Sequence, residues 1–252
     1  MATYRISFQL YSARKFPPIE PQLAALAAIG YDAVEPYGGA YESDPKGFRA
    51  KCDAVGLKVP SAHMPLADLE ADRGRLIDTA KTLGVEIVVL PHVGGDARPK
   101  DAASWMAFGA RLAEHAVKLR EAGLKLAWHN HNFEYAKLAD GSRPIDHILT
   151  GNVLFEPDVA WIVRAGFDIA AEVDRYRSKV AAFHIKDTAR PGVTVDDGWT
   201  DIGAGTIDWR QLWPSIEQTG ASLLVMEHDN PSDWRSFAAN SYTYVSKLVG
   251  RG

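Results

Sequence analysis

Residues 125–135, "KLAWHNHNFEY", place side chains that can do chemistry at the end of a short apolar run. His129, His131 and Glu134 carry imidazole and carboxylate groups, which bind metal ions and transfer protons. Apolar strands usually end in turn residues instead. Polar groups beside a core lose their hydration, and a shared partner, most simply a metal ion, offsets that loss. The segment therefore predicts a functional site at the end of a strand.

The same arrangement recurs along the chain, because short apolar runs alternate with helical patterns. Eight such runs span residues 5–10, 32–37, 57–64, 86–93, 125–130, 152–161, 180–187 and 222–229. This alternation is typical of parallel strands buried on both faces. Eight strand–helix units in about 250 residues predict an α/β fold, the (β/α)8 TIM barrel, as a single domain over residues 1–252. A doubly wound open sheet is the alternative, but no Gly-rich dinucleotide fingerprint follows the first run.

Ionisable residues gather at the C-terminal ends of these runs, where TIM barrels carry their active sites. They are Glu35, His63, His92, His129, His131, Glu134, Asp158, His184, Lys186, Asp187, Glu227, His228 and Asp229. A single histidine at a strand end is more often hydrogen-bonded structure than a ligand. Ligand-type groups on the fifth to eighth strands together predict one shared site. Of the last three residues, His228 and Asp229 are expected to point away from Glu227.

Composition narrows the class of protein. The chain has 252 residues, 46% of them hydrophobic, and its net charge of −4 gives no basic surface for nucleic acid. Cys52 is the only cysteine, which excludes an internal disulfide and favours a reducing compartment. No signal-peptide pattern and no apolar run of about 18 residues is present. These features predict a soluble cytoplasmic protein that binds a small molecule, with no nucleic acid or membrane partner, and they leave a homo-oligomer open.

Seven motifs at the strand ends resemble those of the sugar phosphate isomerase/epimerase family, the xylose isomerase-like TIM barrels related to endonuclease IV and inosose dehydratase. The motifs are "FQLYSAR", "YDAVEPYG", "HNHNFEY", "PDVAWIVRAGFD", "FHIKD", "IGAGTIDW" and "VMEHDNP". The resemblance implies one divalent metal ion, held on the fifth to eighth strands by Glu134, Asp158, His184 and Glu227. One histidine with three carboxylates favours Mn²⁺, Mg²⁺ or Co²⁺, and Zn²⁺ is also an option. Two histidines with two carboxylates would be a commoner zinc set.

The chain departs from the family pattern at two places. Members that carry the first glutamate inside the fifth strand would have it near Trp128, whereas this chain offers only Glu134. Many relatives read Gly-Glu-Gly in the loop after the seventh strand, where this chain has Gly203-Ala204-Gly205. Any role of that acid is therefore absent here.

The resemblance implies a metal-dependent isomerase or epimerase that acts on a keto-sugar or related polyol by proton transfer next to a carbonyl. Glu134 and Glu227 would be the base and acid, and His131 and Lys186 would polarise or hydrogen-bond substrate oxygens. The residues expected to bind substrate are Glu35, His63, His129 and Trp161, and core packing is an equal alternative for Trp161.

Three other functions remain open. The same site could eliminate a leaving group, which would make the protein a sugar dehydratase or lyase. An abasic-site endonuclease is a weaker hypothesis, because Trp161 stands where such enzymes have a histidine and because the net charge of −4 disfavours a phosphate backbone. A non-catalytic sugar-binding barrel is the remaining alternative.

Residues 200–212 form the region where barrels often hold a phosphate at a helix N-terminus. Asp208 and Gln211 have the spacing of a capping box, which would satisfy that helix start internally. No Lys or Arg lies between Gly192 and Trp209. The sequence therefore predicts an unphosphorylated sugar substrate, with the glycines folding the loop over the mouth as a lid.

Overall fold

Eight parallel strands form the barrel in the computed structural model, which describes residues 4–251. They are β1 Arg5–Gln9, β2 Ala33–Glu35, β3 Ser61–His63, β4 Ile87–Leu90, β5 Lys125–His129, β6 Leu154–Glu156, β7 Phe183–Ile185 and β10 Leu223–Met226. The order β2-β1-β10-β7 forms one half and β3-β4-β5-β6 the other. Single bridges join the halves, such as Tyr37 with His63 and Asp158 with His184. The first and last barrel strands pair in register, so the predicted closed barrel is confirmed over the open sheet.

Helices surround the barrel. They are α1 Ile19–Ile29, α2 Gly38–Tyr41, α3 Pro45–Ala54, α4 Leu66–Ala71, α5 Arg73–Leu83, α6 Ala102–Glu121, α7 Pro144–Ile148, α8 Val159–Arg164, α9 Ile169–Arg175, α10 Trp209–Thr219 and α11 Trp234–Leu248. Their ends follow local sequence signals. At α5, for example, the Asp72 side chain accepts a hydrogen bond from Arg75 N, and Gly84 ends the helix at φ 79°, where a residue with a Cβ would be strained. No helix among residues 4–251 has the length and apolar character needed to cross a membrane.

The strands bury both of their faces, but the two faces differ. Outward-facing side chains such as Phe8, Trp128 and Phe155 join the large core that packs against the helices. Inward-facing side chains such as Ala127 and Val225 form a small apolar cluster inside the barrel. Because side chains alternate along a strand, the residue two positions further toward the C-terminal end also faces inward. At that next level the inward-facing residues are polar on every barrel strand except β4, which has Pro91 there, and this level carries the candidate site.

A short antiparallel hairpin follows β7, formed by β8 Asp187–Thr188 and β9 Trp199–Thr200. Asp187 then fixes the loop behind it by accepting hydrogen bonds from Gly203 N at 3.0 Å, Ile207 N at 3.2 Å and Trp209 Nε1 at 2.9 Å. A Cβ on Gly205 would come within 2.1 Å of Asp187 Oδ1. Glycine is therefore required at this position because the loop passes close to the carboxylate. The loop is anchored to the barrel wall, which differs from the free lid expected from its glycines.

Candidate metal centre and active site

Polar side chains line the inside of the barrel at its C-terminal end, and strand alternation puts them there. His129 and His184 lie two residues beyond the inward-facing Ala127 and Ala182. On β1, β2, β3 and β6, and just after β10, the same level is occupied by Gln9, Glu35, His63, Glu156 and Glu227. All of these side chains are buried. Ionisable groups in such a setting need hydrogen-bond partners or a shared cation, because burial alone would disfavour their charged forms.

Four of these residues could hold a metal ion together: His129, Asp158, His184 and Glu227. Each offers one ligand atom, and the four atoms lie within 4.8 Å of one another. His184 Nδ1 lies 3.1 Å from Glu227 Oε2, and His129 Nε2 lies 4.0 Å from Asp158 Oδ2. We call these four residues the metal group. The structure thus brings together Asp158, His184 and Glu227 of the predicted ligand set, and adds His129.

Glu134, the fourth predicted ligand, is not brought into the metal group. It lies in a 3₁₀ turn, Phe133–Tyr135, that follows β5. Its Oε1 accepts a hydrogen bond from Trp128 Nε1 at 3.0 Å, and its Oε2 accepts one from His131 N at 2.8 Å. Both oxygens are therefore engaged within the wall of the barrel. Burial raises the pKa of Glu134 to about 7, even though these hydrogen bonds lower it.

The donor atoms of the metal group fit a divalent cation. Asp158 Oδ1 accepts a hydrogen bond from Trp161 N at 2.9 Å and so caps α8, whereas its buried Oδ2 has no hydrogen-bond partner among residues 4–251. Burial raises the pKa of Asp158 to about 6 even though Lys186 lowers it. A buried carboxylate oxygen that has no hydrogen-bond partner and lies 4.0 Å from an imidazole nitrogen is a suitable ligand. Two nitrogen and two oxygen donors suit Zn²⁺ and the later first-row metals.

A second layer of carboxylates lies behind the metal group. His184 directs Nε2 away from the group, 2.7 Å from Glu35 Oε1 and 3.2 Å from Glu156 Oε2. His129 likewise directs Nδ1 toward Glu156 Oε2, at 3.5 Å. Each histidine can therefore offer one ring nitrogen to a metal and the other to a carboxylate. This is the usual arrangement in metal sites, where an outer acceptor fixes the tautomer and the orientation of the ring.

The second layer contains a cation of its own. His63 Nε2 lies 3.0 Å from Glu35 Oε1 and 3.2 Å from Glu156 Oε2. Burial lowers the pKa of His63, but the Glu35 carboxylate and hydrogen bonds to both glutamates outweigh it and raise the pKa to about 9. Burial raises the pKa of Glu35, but His63 and His184 hold it well below its usual range. The ligand atoms of His63, His129, Glu156 and His184 also lie within 4.8 Å of one another, so these four residues form a second group that could hold a metal ion.

Lys186 is fully buried beside the metal group. Its Nζ lies 3.2 Å from Glu227 Oε2, 2.5 Å from Asp229 Oδ1 and 3.5 Å from Asp158 Oδ2. Burial lowers the pKa of Lys186, but Asp158 and Asp229 outweigh it, so that the pKa lies above its usual range. The ammonium therefore remains charged and balances these carboxylates. It also lies 4.3 Å from the ring centroid of Trp199.

A cavity of about 530 Å³ opens on the metal group at the C-terminal mouth of the barrel. Its walls include Tyr11, Tyr37, Gly38, Gly39, Glu42, His63, Pro65, Pro91, His92, Arg98, His129, His131, Asn132, Phe133, Glu227 and Asp229. The predicted site residues His63, His129, His131 and Glu227 thus border the cavity. Glu35, Lys186 and Trp161 are not among the residues that border it. Trp161 packs against His131, with ring centroids 5.2 Å apart.

Sequence reasoning overlooked two acids at this site. Asp229 was expected to point away from Glu227, but it lines the cavity and accepts a hydrogen bond from Lys186. Glu156 received no role, although it lies two residues before Asp158. In both pairs the two-residue spacing was the available signal, because residues i and i+2 of a strand face the same side. His129 was assigned to substrate, and its position as a neighbour of Asp158 follows only from the structure.

Comparisons with known proteins agree with this architecture. A sugar phosphate isomerase/epimerase from Parabacteroides distasonis ATCC 8503 superposes with a TM-score of 0.81 at 19% identity, covering 97% of this chain and 94% of that one. The IOLI protein with a bound zinc atom gives 0.77 at 15% identity, covering 98% of both chains. A xylose isomerase-like TIM barrel protein from Mycobacterium smegmatis in complex with magnesium gives 0.74 at 18% identity, covering 99% of this chain and 98% of that one.

A search of curated protein sequences finds no match. The sequence model of one family does match, over residues 23–243, which is most of the chain. Together with the closed barrel and the polar strand ends, this match identifies the chain as a member of the xylose isomerase-like TIM barrel family.

Proposed function

We propose that this chain is a divalent-metal-dependent enzyme that isomerises or epimerises a keto-sugar or a related polyol by proton transfer next to a carbonyl. The main support is that two residues of the metal group, His129 and Glu227, also border the cavity at the mouth of the barrel. Metal ligands and substrate would therefore share one space, at the end of the barrel where TIM-barrel enzymes have their active sites.

The proposed ligands are His129, Asp158, His184 and Glu227. A divalent ion bound by them would polarise a substrate carbonyl and acidify the adjacent C–H. The predicted set with Glu134 was oxygen-rich and favoured Mn²⁺, Mg²⁺ or Co²⁺. Replacing that glutamate by a second imidazole shifts the preference toward Zn²⁺, Co²⁺ or Mn²⁺ and away from Mg²⁺.

Glu227 is the proposed proton acceptor. It borders the cavity, and its Oε2 is within hydrogen-bond distance of His184 Nδ1 and Lys186 Nζ. Burial raises the pKa of Glu227, but Lys186 and His184 outweigh it and hold the pKa well below its usual range. The side chain is therefore ionised at neutral pH and can accept a proton from a substrate carbon or hydroxyl.

His131 is the proposed hydrogen-bond partner of a substrate oxygen. Burial and the nearby Lys186 lower its pKa to about 3, so the imidazole is neutral and can both donate and accept a hydrogen bond. Glu134, predicted as a catalytic acid or base, accepts a hydrogen bond from the backbone of His131. We assign Glu134 the role of holding His131 in place.

Elimination is the alternative outcome at the same site. Removal of a proton next to a carbonyl is the first step of isomerisation, of epimerisation and of loss of a leaving group from the neighbouring carbon. What separates them is a second group that returns the proton or protonates the leaving group. The residues around the cavity, with carboxylates and imidazoles on several sides, suit both outcomes.

Deuterium exchange tests the proposal directly. The protein is incubated in D₂O with a panel of keto-hexoses and with Zn²⁺, Mn²⁺ or EDTA, and the products are followed by NMR. Proton transfer predicts loss of the signal of the hydrogen next to the carbonyl, with an epimer or aldose as product, and loss of this activity with EDTA. A dehydrated product would favour the lyase. No exchange in any member of the panel with metal present would contradict the proposal.

A further inference from the structure

The cavity wall contains one residue that carries a permanent positive charge. Of the residues that border the cavity, Arg98 is the only lysine or arginine. It lies in the loop after β4 and is partly buried. Asn132, His92 and Phe133 border the cavity with it. Burial raises the pKa of the nearby Glu134, and Arg98 is among the groups that lower it. The pKa of His92 is lowered, first by its own burial and then by the charge of Arg98.

Two contacts fix the guanidinium of Arg98 in place. Its Cζ lies 3.5 Å from the ring centroid of Phe133, so that one face of the planar group is covered by the ring. Its Nε donates a hydrogen bond to Val93 O at 3.1 Å. These contacts use the face and one edge of the group. They leave the N–H groups of the two terminal nitrogens for a ligand in the cavity.

Arg98 has no carboxylate partner within residues 4–251. Arg14, which is also partly buried and lies over the ring of Tyr11, likewise pairs with no carboxylate, but its Nη1 donates hydrogen bonds to Tyr11 O and Asp229 O. No hydrogen bond from the two terminal nitrogens of Arg98 is present within residues 4–251, and the planar fork of their N–H groups matches a carboxylate in two parallel hydrogen bonds. These N–H groups are therefore available to an anionic group of a ligand in the cavity.

The charge of the surrounding wall indicates which anion. Glu42 and Asp229 also border the cavity, and Asp229 is already paired with Lys186. A phosphate carries nearly two negative charges at neutral pH and would meet one arginine and at least one unpaired carboxylate. A carboxylate carries a single charge, which Arg98 alone can balance. The wall therefore favours an acid with one negative charge.

We propose that Arg98 binds a carboxylate of the substrate, which makes the substrate a sugar acid with a keto group, such as a keto-aldonate or a keto-uronate. This inference rests on the proposed function for the identity of the reacting group. The carboxylate would occupy the loop side of the mouth, beside Phe133, and the keto group would lie deeper, toward His129 and Glu227. Arg98 would then set which end of the sugar enters the barrel first.

Equilibrium binding of two matched probes tests this without reference to turnover. D-gluconate and sorbitol differ in that one terminal carbon is a carboxylate in the first and an alcohol in the second. Isothermal titration of the protein as purified should give gluconate a Kd at least about tenfold lower than that of sorbitol, because charge-assisted pairing with arginine adds to hydroxyl contacts. Sorbitol 6-phosphate is the third probe and reports on a phosphate.

Two arginine variants separate the proposed subsite from other effects. Arg98→Met should remove the preference for gluconate and leave sorbitol binding unchanged. Arg235→Met is the matched control, because Arg235 is exposed on α11 and also lies over an aromatic ring, that of Trp234 at 5.3 Å. It should bind like wild type. A carboxylate bound directly by a metal ion would keep its preference in Arg98→Met.

The binding measurements test the carboxylate subsite at Arg98 independently of whether the proposed reaction occurs. It is overturned if gluconate and sorbitol bind alike, if neither binds, if the preference survives Arg98→Met, or if sorbitol 6-phosphate binds more tightly than gluconate. The deuterium-exchange assay reports on the proposed function on its own. If neutral keto-sugars exchange deuterium and gluconate and sorbitol bind equally, the proposed function is supported and the carboxylate subsite at Arg98 is excluded.

Discussion

His184 and Glu35 are joined inside the barrel by a contact of 2.7 Å between Nε2 and Oε1. The opposite ring nitrogen of His184, Nδ1, lies 3.1 Å from Glu227 Oε2 in the metal group. Glu35 also accepts a hydrogen bond from Gln9 Nε2 at 2.8 Å, so the carboxylate is itself held in position. Glu35 was predicted to touch substrate, but it is fully buried and can act only through His184 and His63.

The first prediction concerns this outer contact. Glu35→Gln should weaken metal binding about 10–100-fold, because an amide accepts the imidazole hydrogen less strongly and no longer fixes the ring tautomer. Competition with a chromogenic chelator measures the affinity on folded protein. Glu42→Gln is the control, since Glu42 borders the cavity and belongs to neither of the two sets of residues that could hold a metal ion. Equal affinities for Glu35→Gln and wild type would exclude an outer-shell role.

The second prediction distinguishes the two ligand sets. His129→Ala should lower metal affinity by more than about 100-fold, because loss of a direct ligand exceeds loss of its outer partner. Glu134→Gln should retain the metal, because the two oxygens of Glu134 accept hydrogen bonds from Trp128 and His131 and do not belong to the metal group. Metal content after dialysis, measured by mass spectrometry, checks both variants. If only Glu134→Gln loses the metal, the ligands are instead those implied by the family resemblance, with Glu134 in place of His129.

The third prediction concerns Glu227. Glu227→Gln should lower kcat about 10²–10⁴-fold, because the amide has nearly the same shape but cannot accept a proton. Circular dichroism and metal content, measured on the same sample, separate this effect from misfolding and from metal loss. Activity within tenfold of wild type in metal-loaded protein would show that Glu227 is not the essential base.

The sequence predicted the architecture well because the signals were local. Each barrel strand lies inside the apolar run assigned to it. Every run continues past its strand at the C-terminal end, whereas β1 and β5 begin where their runs begin. Glu35, His63 and His129 are the last residues of β2, β3 and β5, as the polar strand ends indicated. Three of the four predicted ligands came together because parallel strands bring their C-terminal ends to the same mouth.

The ligand from the fifth strand could not be chosen from the sequence, because that choice depends on the path of the chain after β5. A 3₁₀ turn carries Glu134 back toward Trp128, whereas His129 points into the barrel from the strand itself. Arg98 was missed for a different reason. It lies in an irregular loop, where no periodicity indicates which way a side chain points, and only the contact with Phe133 reveals its position.

The fourth prediction concerns a buried ion-pair network near the turn that carries Glu134. Arg143 lies over the rings of Tyr135 and Phe167, and its guanidinium binds Asp146. Burial raises the pKa of Asp146, but hydrogen bonds from Arg143 and Tyr176 outweigh it and lower the pKa. Because the folded-state pKa lies below the unfolded value, Asp146 contributes stability above the unfolded pKa. That contribution is lost as the pH falls through the folded pKa.

Asp146→Asn should therefore lower the free energy of unfolding by roughly 1–3 kcal/mol at pH 7, and the difference from wild type should shrink below about pH 4. Urea unfolding at several pH values measures it. Asp78→Asn, at an exposed position on α5, should change stability little at any pH. A difference that is constant from pH 7 to pH 3 would exclude this linkage.

The last prediction concerns phosphate. The loop after β9 was the region of the chain best suited to a phosphate, but Gly203 N donates to Asp187 and the N-terminus of α10 is capped by Asp208, which accepts from Gln211 N. These donors are already used, and two carboxylates stand where a dianion would bind. A keto-sugar should therefore show a higher kcat/KM than its phosphate ester when the two are measured side by side. A tenfold preference for the ester, about 1.4 kcal/mol of transition-state binding, would contradict this assignment. Asp208→Asn, which keeps the cap and removes its charge, should leave the ratio unchanged if no phosphate binds there, and should shift it toward the ester if repulsion by Asp208 is what excludes the anion.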